Sequence, residues 1–491
     1  TLATRSNMNM NKMKIKILTL LLTIVVFGNV SGQNYLEGVI AKDSALQDFS
    51  VFKSALLTGH PSLYWFNDSL AISRSLSNAE SQITENLTNK KFHSILSNVM
   101  NDVSCGHSYL LYPETYARKF DTSSIYLPFL ITEIDNKLFV TKVFDKSGIA
   151  VGSKIAAINN QTTSEILAVV KSKIPTDKGI SSKKERSLDI LFSYYYSIYV
   201  DNSGEYSLEI LKPNGEKDEL IVDGISWDND HMFHSLRGYG ESRYPIQFEI
   251  NNNIAELTLR SFGMKIFKKN GIDFEDTLSN IFQTLSKRNI DNLIIDLRGN
   301  VGGSLFSGEL LLSYLSATPI KYYKNNVIRE AIGEGKFEYA DLPRFLDFFE
   351  EEYGELERIG IHYIIPREDS IEINKPDFSG HVFFLSDGLT FSSTSNFLAV
   401  CSRNNIGTLI GETPGGAYSG GNGGGPTQIT LPNSKFRLFF YLIGINLNVE
   451  DNRDSIEVDH KVTLSINEII NGVDLQKEYV INLIENNIPK K

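Results

Sequence analysis

The sequence contains little cysteine, and this excludes several kinds of protein. Only Cys105 and Cys401 occur among its 491 residues. Two cysteines can build neither a disulfide framework nor a cysteine-based metal site. One bridge between them is chemically possible, but we do not expect it.

Positive charge is also scarce. The chain has 48 Lys and Arg against 59 Asp and Glu, and its formal net charge is -11. Nucleic acid and anionic membrane surfaces are therefore disfavoured as partners. The composition, with 41% hydrophobic and 22% charged residues, is that of a globular protein with room for two to four domains.

Long apolar runs are missing after the first 32 residues, so we expect no membrane span in the mature chain. The segment Met13-Lys-Ile-Lys16 precedes an apolar run from Ile17 to Phe27 and then small residues up to Gly32. These are the three parts of a secretory signal. We assign residues 1–32 to a signal peptide with an upstream extension, and we predict an exported protein, periplasmic or extracellular.

Three regions of different pattern follow. Residues 33–115 place apolar side chains at helical spacing and predict a helical N-terminal domain. Residues 122–225 consist mainly of short strand patterns separated by turns and predict a β-rich domain. In residues 230–491 strands alternate with helices, which predicts an α/β domain with a largely parallel sheet. We expect an irregular acidic insertion at 316–378, and an α/β multidomain protein as a whole.

A serine cluster follows the strand-like run Val382–Leu385. Asp387-Gly388 is a turn signal, and a helix is predicted to begin near Ser392 and Ser393. Free N–H groups at a helix N-terminus can stabilise an oxyanion, so one of these serines could be a nucleophile. Considered alone, they are more simply N-cap and first-turn residues.

A glycine-rich loop, Arg298-Gly-Asn-Val-Gly-Gly303, follows a second buried-type strand. It lacks the Lys-Ser/Thr of a Walker motif and the spacing of a dinucleotide fingerprint. The N–H groups of Gly302 and Gly303 would suit an oxyanion. The loop alone fits tight packing between strand and helix equally well.

In combination, the motifs resemble peptidase family S41, the family of C-terminal processing and tricorn-core proteases. They are Leu293-Ile-Ile-Asp-Leu-Arg-Gly-Asn-Val-Gly-Gly303, Leu389-Thr-Phe-Ser-Ser393, Ile410-Gly-Glu-Thr-Pro-Gly-Gly416 and Ile456-Glu-Val-Asp-His-Lys-Val462. The last is similar to the family's closing Ile-Glu-Pro-Asp element, with Val458 where proline is usual. The resemblance implies a PDZ-like domain at 122–225, of a kind that captures extended peptides by strand addition, and a ClpP/crotonase-like catalytic domain at 230–491.

The resemblance also implies roles for individual residues. Ser392 matches the family's nucleophile, and the amides of Ser393 and of Gly302 or Gly303 match its oxyanion donors. The implied substrate is a polypeptide, and the implied reaction is hydrolysis through an acyl-enzyme with no metal and no cofactor.

The family divides by its general base. One branch uses a lysine after the serine, but here the next lysine is Lys435, beyond a predicted strand, so a Ser/Lys dyad is disfavoured. The tricorn-like branch uses a histidine before the PDZ-like domain, and Cys105-Gly-His107-Ser matches that motif. A neutral imidazole is a competent base near neutral pH, so His107 is the predicted base. His60 and His460 could be structural.

Among the expected catalytic residues, the acid that orients His107 is the least well defined. Glu450 matches the tricorn-like pattern, with Asp451 and Glu457 as rivals, and Gly106 stands where that pattern has a serine. The leading hypothesis is an exported serine endopeptidase acting on extended or unfolded polypeptides. The alternatives are a catalytically silent peptide-binding protein and, more weakly, a thiol enzyme using Cys105, two residues from His107.

Overall fold

A computed structural model of the protein describes residues 33–116, 125–144, 147–226, 244–340, 344–367, 370–449 and 453–486. The predicted signal peptide, residues 1–32, lies outside these ranges. Within them, no helix combines the length and apolar character needed to cross a membrane.

The first region is mainly helical. Its elements are α1 Gln33–Leu36, β1 Val39–Ile40, α2 Lys42–Gly59, α3 Ser69–Ser81, β2 Leu87–Thr88, α4 Asn89–Val103 and β3 Tyr109–Leu111. Thr88 caps α4, because its Oγ1 accepts a hydrogen bond from the Lys91 N–H at 3.2 Å.

These helices do not have a core of their own. Their buried apolar faces pack in one cluster with Leu438 and Phe440 from near the end of the chain. In addition, β3 pairs antiparallel with the strand Arg437–Tyr441. The turn between α4 and β3, which carries His107, is therefore fixed to the C-terminal part of the chain.

The second region is built on an antiparallel sheet. Its elements are β4 Ile125–Tyr126, β5 Phe129–Ile134, β6 Lys137–Val143, β7 Lys154–Ile158, β8 Gln161–Thr162, α5 Thr163–Lys171, the 3₁₀ turn Asp177–Gly179, α6 Ser181–Tyr199, β9 Glu205–Leu211, β10 Lys217–Asp223 and β11 Ile225–Ser226. The strand order is β10-β9-β7-β6-β5, with β8 paired to β7. Strand β9 alternates exposed residues with buried ones, which supply the core of this sheet.

Helix α6 packs along the edge strand β5. Arg186 on this helix donates to Thr132 Oγ1 at 3.0 Å and to the Glu133 carbonyl oxygen at 2.6 Å. These bonds fix α6 against the sheet of the second region.

The third region alternates strands and helices. Its elements are β12 Ile246–Asn251, β13 Ile254–Leu259, α7 Met264–Lys269, α8 Phe274–Lys287, β14 Asn292–Asp296, α9 Leu305–Leu315, β15 Ile320–Lys321, β16 Tyr323–Arg329, α10 Glu330–Gly333, α11 Phe345–Tyr353, β17 Arg358–Ile359, β18 His362–Pro366, β19 Ser370–Ile371, β20 His381–Ser386, α12 Ser393–Arg403, β21 Thr408–Gly411, β22 Gly420–Asn422, β23 Pro426–Thr430, β24 Arg437–Tyr441, β25 Ile443–Leu447, β26 His460–Lys461, α13 Ile466–Asn471 and α14 Leu475–Glu485. The main sheet has the order β12-β13-β14-β20-β21-β26 and is parallel except for β12. The predicted α/β character and parallel sheet are confirmed.

The two central strands of this sheet position the candidate site. Strands β14 and β20 are parallel neighbours, with Leu293 opposite Val382. Because parallel strands end at the same edge, the loop after β14 and the loop after β20 meet there. The glycine-rich loop and the serine cluster therefore lie side by side.

The expectation of an irregular insertion at 316–378 is wrong. Strands β16, β17 and β18 join β25 and β22 in a five-stranded sheet, in which Val327 lies opposite Gly444. These strands are short and a partner lies far along the chain, so no local sequence pattern reveals the pairing.

Candidate active site

The turn between β20 and α12 presents Ser392 in an unusual backbone conformation. Its φ of 58° and ψ of -130° lie outside the regions that non-glycine residues normally adopt. Such strained positions are typical of nucleophiles on tight strand-to-helix turns. Ser392 is half-buried, whereas Ser393 is fully buried, so Ser392 is the more accessible of the two.

The hydroxyl of Ser392 faces the imidazole of His107. Ser392 Oγ lies 2.9 Å from His107 Nε2, although 285 residues separate the two in the chain. The imidazole is buried and stacks on the ring of Phe391, with 4.4 Å between the ring centroids. The structure thus brings together the serine and the histidine that the sequence motifs indicated.

Burial sets the protonation state of this histidine. The pKa of His107 is lowered from 6.5 to about 3, mainly because the ring is removed from water and secondly because Lys183 carries a positive charge. The ring is therefore neutral at pH 7. For Nε2 to accept the serine proton, Nδ1 must carry the ring hydrogen. Nδ1 is buried and has no hydrogen-bond partner among the described residues.

Backbone N–H groups converge beside the serine. Gly303 N–H and Ser393 N–H have no acceptor within the described part of the chain. The N–H of Gly302 instead donates to Asn300 Oδ1 at 3.0 Å. Of the two glycines that the sequence offered as oxyanion donors, Gly303 is thus the one with an uncommitted N–H group.

Position 302 requires a glycine because the loop passes close to the serine. A Cβ atom at this position would lie 2.6 Å from Ser392 Cβ and 3.0 Å from Ser393 N, and its φ is +99°. Only a residue without a side chain allows the glycine loop to approach the serine this closely.

A cavity of about 90 Å³ opens in front of the serine. His107, Ser392 and Gly303 line it together with apolar side chains, including Leu305 and Tyr441, and with the glycine-rich stretch 416–424. A wall of glycines exposes backbone rather than side chains, so it can accommodate the main chain of an extended peptide.

The remaining sequence candidates do not reach this cavity or cannot act there. Cys105 is buried, and burial raises the pKa of its thiol to about 12, so it is not a thiolate at neutral pH. Lys435 is exposed and bonds to the Pro432 carbonyl oxygen. His460 Nδ1 lies 3.1 Å from the Tyr479 hydroxyl.

Of the candidate acids, Glu450 and Asp451 lie outside the described residues. Glu457 is described and its side chain is exposed. Two charged residues close to His107, Asp177 and Lys183, were not predicted from the sequence, since no local motif marks them. Over the described ranges, no group of His, Cys, Asp and Glu side chains could hold a metal ion.

A serine facing a neutral imidazole beside uncommitted backbone N–H groups is the arrangement of a serine hydrolase. Residues 253–436 match Peptidase family S41. This match and the site together indicate a serine peptidase of the S41 type. A comparison with curated proteins found no match.

Solved structures share the fold over nearly the whole chain. Mature CPAF is 16% identical, with a TM-score of 0.65 over 92% of this chain and 99% of that one. Mature CPAF complexed with lactacystin is 18% identical, with a TM-score of 0.64 over 91% of this chain and 99% of that one. At these identities the likeness establishes the fold alone.

Proposed function

We propose that the protein is an exported serine endopeptidase that hydrolyses extended or unfolded polypeptides. The observation that carries this proposal is the 2.9 Å contact between Ser392 Oγ and His107 Nε2. The catalytic roles of both residues, and export through residues 1–32, belong to the proposal.

The geometry supports the following reaction. Ser392 Oγ attacks the peptide carbonyl carbon while His107 Nε2 takes the hydroxyl proton, and the N–H groups of Gly303 and Ser393 donate to the resulting oxyanion. The C–N bond then breaks, and the amine leaves with the proton from His107. Water attacks the acyl-enzyme, again losing a proton to His107, and the ester bond to Ser392 breaks to release the acid.

Glu450 is the proposed acceptor for the Nδ1 hydrogen of His107. The described residues on both sides of it are tied close to the cavity. Leu447 N–H donates to the Ser419 carbonyl oxygen at 3.1 Å, next to the cavity residue Gly420, and Arg453 Nη2 donates to the Tyr418 hydroxyl at 2.5 Å, next to the cavity residue Ala417. We expect Glu450→Gln to lower kcat more than the Asp451→Asn or Glu457→Gln variants. A larger loss in Asp451→Asn would move the role to that residue.

We further propose that residues 122–225 are a PDZ-like domain whose β5 edge does not recruit substrate. Arg186 on α6 already donates a hydrogen bond to the Glu133 carbonyl oxygen of β5. Ser193 Oγ on the same helix donates to the Leu127 carbonyl oxygen, just before β5, at 3.4 Å. Strand addition at this edge would have to displace α6.

The enzyme hypothesis is tested with a fluorophosphonate probe and a denatured protein substrate. The wild type should be labelled and should cleave, and Ser392→Ala should do neither. Ser402→Ala, a serine on the same helix outside the cavity, is the matched control and should behave like the wild type. Unchanged labelling of Ser392→Ala would refute the assignment. A folded wild type that binds peptides but never reacts would instead identify the silent peptide-binding protein.

A further inference from the structure

The residue before the catalytic histidine is bonded on both sides of its backbone. Gly106 N–H donates to Asp177 Oδ1 at 2.7 Å. Its carbonyl oxygen accepts from Lys183 Nζ at 3.1 Å and from the Tyr109 hydroxyl at 2.7 Å. Asp177 and Lys183 are 2% and 8% exposed, so these charge-assisted hydrogen bonds are shielded from water.

The position of Lys183 explains why residue 106 is a glycine. A Cβ atom there would lie 2.6 Å from Lys183 Nζ and 2.8 Å from Phe391 Cζ. The ammonium group thus occupies the space that a side chain at 106 would need. The tricorn-like pattern has a serine at this place, and in this chain a lysine from a remote helix fills it.

Lys183 also contacts the aromatic ring that supports the imidazole. Its Nζ lies 3.3 Å from the centroid of the Phe391 ring, on which His107 stacks. A cation at this distance is attracted to the ring face. Phe391 directly precedes Ser392, so one buried ammonium group is linked to both the base and the nucleophile.

We propose that Lys183 and Asp177 are positioning residues that hold His107 in line with Ser392 through the backbone of Gly106. This inference rests on the proposed function. Lys183 acts through Gly106 and Phe391 and does not line the substrate cavity, whereas Asp177 also lies at the cavity wall.

Removing the ammonium group should affect turnover more than binding. We expect Lys183→Met to lower kcat roughly 10- to 100-fold with little change in KM, because a displacement of about 1 Å at a reacting group costs this much. Lys184→Met is the matched control on the same helix, since Lys184 Nζ bonds instead to Asn101 Oδ1 at 2.7 Å. The control should keep the wild-type kcat.

A pH profile separates positioning from a merely structural role. In the described part of the chain, the titratable groups around the imidazole are Lys183, Asp177, Tyr441, Cys105 and Tyr109. Loss of the Lys183 charge removes a positive neighbour of His107. The acid limb of kcat/KM should therefore shift to higher pH in Lys183→Met, and a fall in the folded fraction alone would not move it.

Conservative replacement of Asp177 gives a second, independent measurement. Asp177→Asn retains an acceptor for Gly106 N–H and should keep more activity than Asp177→Ala, which loses it. Equal kcat in wild type and Lys183→Met, with no shift of the acid limb, would overturn the inference while leaving the proposed function intact. Failure of the wild type to react with the fluorophosphonate would reject the proposed function itself.

Discussion

Among the described residues, His107 and His60 each contact a serine hydroxyl through Nε2 at nearly the same distance, but the two serines differ in their surroundings. His107 Nε2 lies 2.9 Å from Ser392 Oγ, and His60 Nε2 lies 2.8 Å from Ser108 Oγ. Burial lowers the pKa of both histidines to about 3. Yet Ser108 is fully buried in the turn between α4 and β3, while Ser392 has a strained backbone and faces a cavity.

The comparison separates the histidine–serine contact itself from the other features of the proposed nucleophile. A short contact with a neutral imidazole occurs in both pairs, so it does not by itself define a nucleophile. Access from a cavity and nearby N–H groups for an oxyanion distinguish Ser392. The same contact at His60 satisfies buried polar groups, which stabilises the fold.

The largest difference should appear when each serine is removed. Ser392→Ala should reduce turnover by a factor of 10³ or more, on the order seen when serine nucleophiles are deleted. Ser108→Ala should keep probe labelling but lower the free energy of unfolding by about 1–3 kcal/mol, because a buried hydrogen bond is lost. Active-site labelling of both variants measures the effect on activity, and urea unfolding measures the effect on stability. Loss of labelling in folded Ser108→Ala would contradict a purely structural role for Ser108.

Replacing each histidine by glutamine should give the next largest difference in kcat between the two pairs. His107→Gln should lower kcat by at least about 100-fold, because the general base is lost while the fold persists. His60→Gln should instead change the urea midpoint and leave kcat of the folded fraction near the wild-type value. The kcat values of the two variants are compared after the concentration of active enzyme is determined by active-site titration. Full activity in His107→Gln would exclude it as the base.

Two glycines of one loop offer a smaller and more local test. Both have positive φ, but a Cβ at Gly302 would meet Ser392, whereas one at Gly299 would meet nothing within 4 Å. Gly302→Ala should cost roughly 10²- to 10³-fold in kcat by displacing the oxyanion donors. Gly299→Ala should cost about 1–2 kcal/mol of stability through backbone strain alone. Equal kcat values for the two variants would contradict this reading of the loop.

The smallest effect is a difference in the pH dependence of stability. The unfolded chain protonates histidine near pH 6.5, whereas His60 and His107 in the folded protein protonate near pH 3. Between these values the unfolded state binds more protons, so stability falls as the pH is lowered. Each histidine contributes a slope of about 1.4 kcal/mol per pH unit there.

Urea unfolding between pH 7 and 4 should therefore show a shallower slope in His60→Gln than in the wild type. Activity should persist below pH 6 for as long as the protein stays folded, because His107 remains neutral. An acid limb at pH 6.5 in a folded protein would show that the imidazole titrates normally.

The sequence predicted the parts of this protein that carry local patterns. The strands β14 and β20 and the motifs holding His107 and Ser392 all lie within short stretches. The sheet joining β16 to β25 was missed because its strands come from distant positions. Lys183 was missed for a related reason, since its role depends on the empty space beside Gly106, which three-dimensional packing creates.

The pairing of β3 with β24 has a consequence for the order of events in synthesis. His107 emerges early from the ribosome, but Ser392 and the strand that fixes the histidine turn come 285 residues later and beyond. At typical translation speeds of 5–20 residues per second, this delay is about 15–60 s. During that interval the growing chain has the proposed base but not the proposed nucleophile, so under the proposed mechanism it cannot hydrolyse itself or its neighbours.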